Sequence, residues 1–388
     1  MSAAHKDDQV LDLGSEKYSG YHSAILLASV ALTAFAGAAA AEVSFKGDAQ
    51  LGYNDDVENG FYWDAGLTVA MSQELDNGLT VAASLDVDLN DAAGSTTLGL
   101  GTVSSSDLVV TVSSDVASLT FGDVKTAAST FAFVSEGDGS INDEASDYTA
   151  ADLGIMGKVS FGDVTITASE IVSGDVEGGV QVAVAGSAGG FNYGVLYQEE
   201  NLAGSAFATA SEATAEAFLV SFGGTFGGVD VKVNAGEVAN ESRFGIDMSY
   251  AMGDVTLGAF YLSDDAITED PMGVSVAYAS GPLSAKAYYK DNLGGVDGAD
   301  EYSVAFAYDM GNGLVLNAGT IDGDRVDNDH FNYFVADYNL GGGASFLVSY
   351  ADANDGVTAA MIADADIDTT LGGYELMSGL TAELNFAF

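Results

Sequence analysis

The 388-residue chain contains no cysteine, two prolines, one tryptophan and only ten basic residues, and each scarcity removes a class of protein. Without a thiol there is no disulfide scaffold, no zinc-thiolate site and no cysteine nucleophile. With proline confined to Pro271 and Pro282, the 49 glycines belong neither to a collagen repeat nor to a polyproline linker. The 58 acidic residues outweigh the ten basic ones to a net charge of −48, and no window gathers the Lys and Arg that phosphate recognition needs, so nucleic acid is excluded as a partner. After residue 41 no apolar run is long enough for a membrane-spanning helix, which excludes a helical membrane protein.

What is present demands a fold. The chain is 48% hydrophobic with mean hydropathy +0.20, and its 18 Tyr and 20 Phe are evenly spread, which a disordered acidic tail does not show. Residues 24–41 form an apolar stretch around Leu26, Leu27, Val30, Leu32 and Phe35 that ends in small residues, with Ala39 and Ala41 in an A-x-A pattern. This reads as a signal peptide cleaved after Ala41; its alanine-rich end and the strand pattern that follows argue against a membrane anchor. The preceding residues carry Lys6 and Lys17 among Asp7, Asp8, Asp12 and Glu16 instead of a short basic region, so they read as an upstream extension from a misassigned start. The expected organisation is thus an extension and signal peptide over 1–41 and one domain over 42–388.

From Glu42 onward apolar and polar residues alternate, the mark of strands with one apolar face. Val43, Phe45, Ala49, Leu51 and Tyr53 alternate with Ser44, Lys46, Asp48 and Gln50; Trp63, Ala65, Leu67, Val69 and Met71 share a face before the turn Asp76-Asn77-Gly78. Short glycine turns recur at Phe161 to Asp163, Gly186 to Gly190, Gly223 to Gly228, Met252 to Asp254, Ser280 to Pro282, Met310 to Gly313 and Asn339 to Gly343. Between them come longer acidic loops, including Asp91 to Ser106, Lys125 to Asp152, Glu199 to Glu216 and Ala351 to Gly373. Short turns on one rim and long polar loops on the other are what a transmembrane β-barrel needs. A soluble barrel, sandwich or solenoid would share the alternation. Three features favour the membrane. Charge sits on the polar faces (Lys46, Asp48, Asp86, Asp88, Lys232, Lys286, Lys290). Aromatics gather near strand ends (Tyr53, Trp63, Phe161, Phe191, Phe222, Phe226, Phe244, Tyr278, Tyr308, Phe331, Tyr338). The leader exports the chain. A calcium-binding β-solenoid would need glycine-aspartate nonapeptides, and none occurs.

The last strand, Leu380 to Phe388, alternates up to a terminal aromatic, an ending that resembles the signal read by the outer-membrane assembly machinery. With the mature start Glu42 to Ala49, Phe121-Gly122-Asp123 before a long loop, the hairpin Tyr338 to Ser345 and the following Ala351 to Asp355, the chain resembles the Rhodobacter-type Gram-negative general porins of alphaproteobacteria over 42–388. The resemblance implies a homotrimer of barrels in outer-membrane lipid, each an independent pore for small solutes and ions, with the third extracellular loop folded inward as a constriction. It also implies sixteen strands, whereas ten long or acidic loops imply about twenty. The fold class is therefore all-β, an antiparallel transmembrane barrel of about sixteen to twenty strands with an inward constriction loop.

By the same resemblance Lys125 to Asp152 is the constriction loop, with Glu136, Asp138, Asp143, Glu144 and Asp147 as its charged residues and Phe131 and Phe133 pinning it to the wall; the alternative is a solvated outer loop. On the strands, Lys46, Asp48, Asp64, Asp86 and Asp88 fall on the lumen phase, with Lys46 and Lys125 as counter-charges. Where the family presents arginines opposite its loop, this chain offers Thr68, Asp86 and Asp88, so the family's transverse field is weakened or absent. After residue 41 there are 8 basic residues against 54 acidic ones, which implies a cation-selective channel. Catalysis finds little material, since His330 is the one histidine after residue 41. The acids at Asp352, Asp355, Asp364, Asp366 and Asp368 lack the glycine and bidentate glutamate of an EF-hand, so they are at most weak calcium ligands, and no other cofactor is expected. No room remains for an N-terminal plug domain, which excludes a TonB-type transporter. A structural or adhesive barrel without open-channel activity is the alternative function. N-terminal sequencing of outer-membrane protein should return Glu42; recovery of Met1 or Ser2 would disprove the cleavage site.

Overall fold

The computed structural model describes residues 42–56, 60–90, 102–124, 126–128, 153–171, 180–200, 216–323, 330–353 and 367–388. In chain order the strands are β1 Glu42–Asn54, β2 Phe61–Glu74, β3 Thr80–Asn90, β4 Thr102–Ser113, β5 Ala117–Asp123, β6 Leu153–Phe161, β7 Val164–Ile171, β8 Gln181–Ala188, β9 Phe191–Gln198, β10 Ala217–Phe226 and β11 Val229–Val238. They continue as β12 Glu241–Met252, β13 Val255–Asp264, β14 Met272–Ser280, β15 Leu283–Asp291, β16 Glu301–Asp309, β17 Leu314–Asp322, β18 Phe331–Gly341, β19 Ala344–Ala353, β20 Ile367–Asp368, β21 Glu375–Leu376 and β22 Gly379–Ala387.

All but β20 and β21 form one 20-stranded antiparallel sheet in which each strand pairs with its neighbour in sequence, and β22 closes the ring by pairing with both β19 and β1. The ring thus has the upper number of the expected range, and more than the sixteen strands the family resemblance implied. At the seam the register runs from Asp48 opposite Ala387 to Asn54 opposite Thr381, and Phe388 extends it by exchanging backbone bonds with Gly47 at 2.7 and 3.3 Å. Closure leaves no edge, so every strand can satisfy its N–H and C=O groups within the sheet.

The usual relation between polarity and burial is inverted. Phe45, Leu51, Phe61, Leu119, Phe218, Val274, Phe306 and Tyr350 are exposed on the outer face, whereas Asn54, Gln181, Gln198, Asn234, Asn317 and Thr381 are buried on the inner one. Such a surface is stable only against hydrocarbon. Aromatic belts mark its two limits. Tyr53, Phe61, Phe218, Phe244, Tyr261, Tyr289, Tyr302 and Tyr350 lie toward the long-loop rim, with the Tyr53 and Phe61 rings edge-on at 5.1 Å. Phe161, Phe222, Phe226, Tyr250, Tyr278, Tyr308 and Tyr338 lie toward the short-turn rim, where Phe191 stacks on Phe222 at 5.4 Å.

Several details differ from the sequence expectation. Phe331 does not join a belt; its register opposite Ile321 turns it inward, where it packs on the lumen-side cluster around Tyr333 and Val335. The glycine-rich stretches are mostly strand ends, so the turns shrink to Gly189-Gly190, Gly227-Gly228 and Gly342-Gly343. Residues 102–106 belong to β4, which bulges between Ser106 and Val109 opposite Ser84 and Asp86, so the loop expected over Asp91 to Ser106 is shorter. One connection on the long-loop rim is not long: Ala239 and Asn240, both at positive φ, join β11 to β12 in a two-residue turn.

The Phe388 ring stacks against Phe386 at 6.2 Å on the outer face. Deleting Phe388 removes both the terminal backbone pair and this contact, so the heat-modifiable folded form should fall sharply in outer-membrane fractions. Normal yield of the folded form would disprove this role.

Candidate functional site: the barrel lumen

The inward phase of β1 to β3 brings four predicted acids onto one wall. Lys46 stands opposite Thr68, and Thr68 opposite Asp86; one row along, Asp48, Gly66 and Asp88 are aligned, then Gln50 and Asp64. The lack of a side chain at Gly66 is what admits the Asp48 carboxylate, since a Cβ there would lie 2.8 Å from Asp48 Oδ1. Asp86 Oδ1 is buried and has no hydrogen-bond partner among the described residues. On β22 the same wall gains Glu383, which accepts a short hydrogen bond from the Tyr62 hydroxyl. Asp48, Asp64, Asp86, Asp88 and Lys46 are therefore brought together as expected. Lys125, Glu136, Asp138, Asp143, Glu144 and Asp147, with Phe131 and Phe133, lie outside the described residues.

Halfway round the ring, β11 to β15 hold most of the described positive charge, which the sequence reading noted as polar-face residues without assembling it into a wall. Lys232 is in register opposite Asp247. Arg243 pairs with Asp264 at 2.9 Å, and Lys290 with Glu301 at 3.7 Å. Lys286 and Lys290 flank the Tyr288 ring, at 6.0 and 4.8 Å from its centroid, and the Tyr288 hydroxyl donates to Glu301 at 2.8 Å. Lys46, Lys158, Lys232, Arg243, Lys286 and Lys290 all take the inward phase, so among the described residues no basic side chain faces lipid. The lumen thus has an acidic wall on β1 to β3 and a wall of paired charges opposite.

Two chain segments enter this lumen. At the end of β5, Gly122 adopts φ 116, and a Cβ there would lie 1.8 Å from the Leu108 carbonyl oxygen, so only glycine fits where the chain leaves the wall. Val124 and Thr126 to Ala128 then turn inward and are buried. The Ala127 N–H donates to Ser169 Oγ at 2.8 Å, the Ala128 N–H to Gln181 Oε1 at 2.9 Å, and Gln181 Nε2 to Gln198 Oε1 at 2.6 Å. Ala127 and Ala128 cap an apolar patch of Ala183, Leu196, Ala217, Leu219, Val238, Phe260 and Leu262. The beginning of the expected constriction loop therefore lies inside the barrel.

The second segment was read from sequence only as an acidic loop. Ile367–Asp368 and Glu375–Leu376 form a small hairpin that hangs inside the barrel. Leu376 is buried with Ala305, Tyr333, Val335, Leu347 and Ala351, and Leu371 and Tyr374 pack beside them. The three apolar residues Leu371, Tyr374 and Leu376 among acids were the available signal. Of the calcium candidates, Asp355, Asp364 and Asp366 lie outside the described residues, and among those described no three carboxylate or imidazole groups converge on a metal site.

A closed, aromatic-belted barrel with a charged lumen and inward loops defines a porin-type channel. The Gram-negative porin family model matches residues 28–359, and the chain belongs to that family, whose members are outer-membrane channels. Among solved structures it is similar to an engineered Rh. blastica porin (17% identity, 89% of this chain and 100% of that one, TM-score 0.42). It is also similar to a triple mutant of the Rhodopseudomonas blastica porin (16%, 89% and 100%, 0.41) and to a structure titled for asymmetric conductivity of engineered proteins (18%, 89% and 100%, 0.42). No curated protein matches the sequence.

Replacing Gln181 by Leu would strand the buried Ala128 N–H, at a cost of about 1–3 kcal/mol. We expect faster proteolytic cutting in the loop after β5 on intact cells; an unchanged rate would show that Gln181 does not anchor it.

Proposed function

We propose that this protein is a general diffusion porin whose water-filled lumen prefers cations, with Glu42 as its mature N-terminus, a homotrimeric assembly, and Phe388 as the residue read by the barrel assembly machinery. The observation that carries the cation preference is the wall of Asp48, Asp64, Asp86 and Asp88, whose one basic neighbour in those register rows is Lys46. The positive charges across the lumen are drawn into pairs with Asp264 and Glu301. The field that remains is negative, and it concentrates cations and repels anions. A barrel with a structural role is favoured by a different observation, the two segments that occupy part of the lumen; stable conductance steps in planar bilayers would reject it.

The test of selectivity is the reversal potential across a tenfold KCl gradient. Wild type should be cation-selective, and Asp86→Asn combined with Asp88→Asn should shift the potential toward zero. The preference should weaken with salt, because the screening length falls from about 10 Å at 0.1 M to about 3 Å at 1 M. An anion-selective wild type, or an unchanged double mutant, would refute the assignment.

A further inference from the structure

We propose that the hairpin Ile367–Leu376 is a second constriction element and that the carboxylate of Glu375 is its selectivity-determining group. The inference rests on the reading of the lumen as an open channel. It starts from size. Strands about 4.8 Å apart and tilted by about 40° give a ring of 20 a backbone radius of about 20 Å. That is about twice the screening length at 0.1 M salt, so wall charges alone leave the centre of such a ring almost unfelt by a permeating ion. Selectivity therefore requires chain inside the ring, close to the ion's path.

The hairpin meets that requirement through fixed contacts. Asn317 Nδ2 donates to the Leu371 carbonyl, the Thr370 N–H donates to the Tyr333 hydroxyl at 3.1 Å, and the Tyr374 hydroxyl donates to Asp337 Oδ2 at 3.3 Å. Ser303 and Thr370 share a further hydroxyl contact. Burial and the neighbouring Asp337 push the Tyr374 hydroxyl up to about 12, so it remains a donor across the working pH range. Within the hairpin, the Thr369 N–H donates to the Tyr374 carbonyl at 2.9 Å and the Tyr374 N–H to Thr369 Oγ1 at 3.0 Å. Asn317 and Asp337 both lie past the midpoints of β17 and β18 when counted from the long-loop rim, so the tip of the hairpin reaches half the depth of the barrel. It narrows the lumen from the β16 to β19 side and leaves the acidic wall of β1 to β3 uncovered.

Alternation in the short strand fixes the direction of the charge. Leu376 is 2% exposed against the wall, so its neighbour Glu375 points the other way, and it is exposed. Its carboxylate stands in from the wall, facing the open part of the lumen. An ion crossing at this depth passes between this carboxylate and the acids of the opposite sector.

The experiment uses the full-length protein in planar bilayers, with KCl as the probe. Glu375→Lys, at an exposed position, should lower the potassium-to-chloride permeability ratio at 0.1 M salt by about twofold or more, and Glu375→Gln by less. Replacing residues 369–374 with a Gly-Gly link should raise the single-channel conductance by about 1.5-fold or more. Both variants are first checked for heat modifiability. If Glu375→Lys keeps the wild-type permeability ratio, the assignment of Glu375 is wrong; if the shortened hairpin keeps the wild-type conductance, the constriction is wrong. A silent wild type with a conducting shortened variant would overturn the open-channel reading while supporting the hairpin as an obstruction. Silence of both would overturn the two together.

Discussion

Hydrocarbon offers the backbone no hydrogen-bond partner, and the rest of this structure depends on how that demand is met. An open sheet of twenty strands would present two rows of unpaired N–H and C=O groups, each costing several kcal/mol in lipid. The β1–β22 seam removes both rows. Once the ring is closed, each residue of a strand belongs to lipid or to the lumen, because successive side chains point to opposite faces. The outward phase can then be read as a chemical filter: Val, Leu, Phe, Tyr and Met pass, and the described lysines and the arginine do not. A charge of one unit on the lipid phase at mid-depth would cost about 2–4 kcal/mol, enough to explain why so few basic residues are all found on the other face.

Period-two alternation was therefore sufficient for the strands and their lumen phase, since both are local properties. Lys46, Asp48, Asp64, Asp86 and Asp88 could be assigned from sequence because they sit on three consecutive strands joined in order. The opposing wall was not legible as a wall. Lys232, Arg243, Lys286 and Lys290 come within reach of Asp247, Asp264 and Glu301 only through register between strands, and they face β1 to β3 only because the ring closes. Phe331 was misassigned for a related reason. At a strand end the lipid belt and an inward cluster both favour an aromatic, and only the pairing with Ile321 decides between them.

The two inward segments show why loops are harder to read than strands. Both connect to the wall at glycines that no other residue could replace without strain: Gly122, and Gly379 at φ 91, where a Cβ would lie 2.4 Å from Asp55 Oδ1. Both attach by burying a few small or apolar residues against lumen-facing apolar patches. Fully burying one leucine-sized side chain is worth about 1.5–3 kcal/mol, which makes Leu371 and Leu376 together comparable to the conformational entropy of ordering a few residues. The hydrogen bonds from Asn317, to Tyr333 and to Asp337 add direction to that attraction. A loop of uniform acidity would have no reason to enter; the apolar residues at 371, 374 and 376 supply one.

Charge in the lumen follows a different rule from charge in a protein core. Asp48 and Asp88 flank Gly66 from strands about 9.5 Å apart, and like charges at that spacing repel by about 0.4 kcal/mol in bulk water and about 1.7 kcal/mol at an effective dielectric of 20. Repulsion of this size is tolerable, so the acidic row can persist without a basic residue beside every carboxylate. The paired wall has no such freedom: Arg243 is nearly buried and is matched at 2.9 Å by Asp264, because an unpaired charge there would be poorly hydrated. The two walls therefore differ in what they offer a permeating ion. Charges neutralised at close range contribute a short-range dipole field that decays quickly, while the uncompensated row on β1 to β3 contributes a net potential that extends about one screening length into the lumen. Segments that bring the path of the ion within that length convert wall charge into selectivity, and in a ring of this size the wall cannot do so alone.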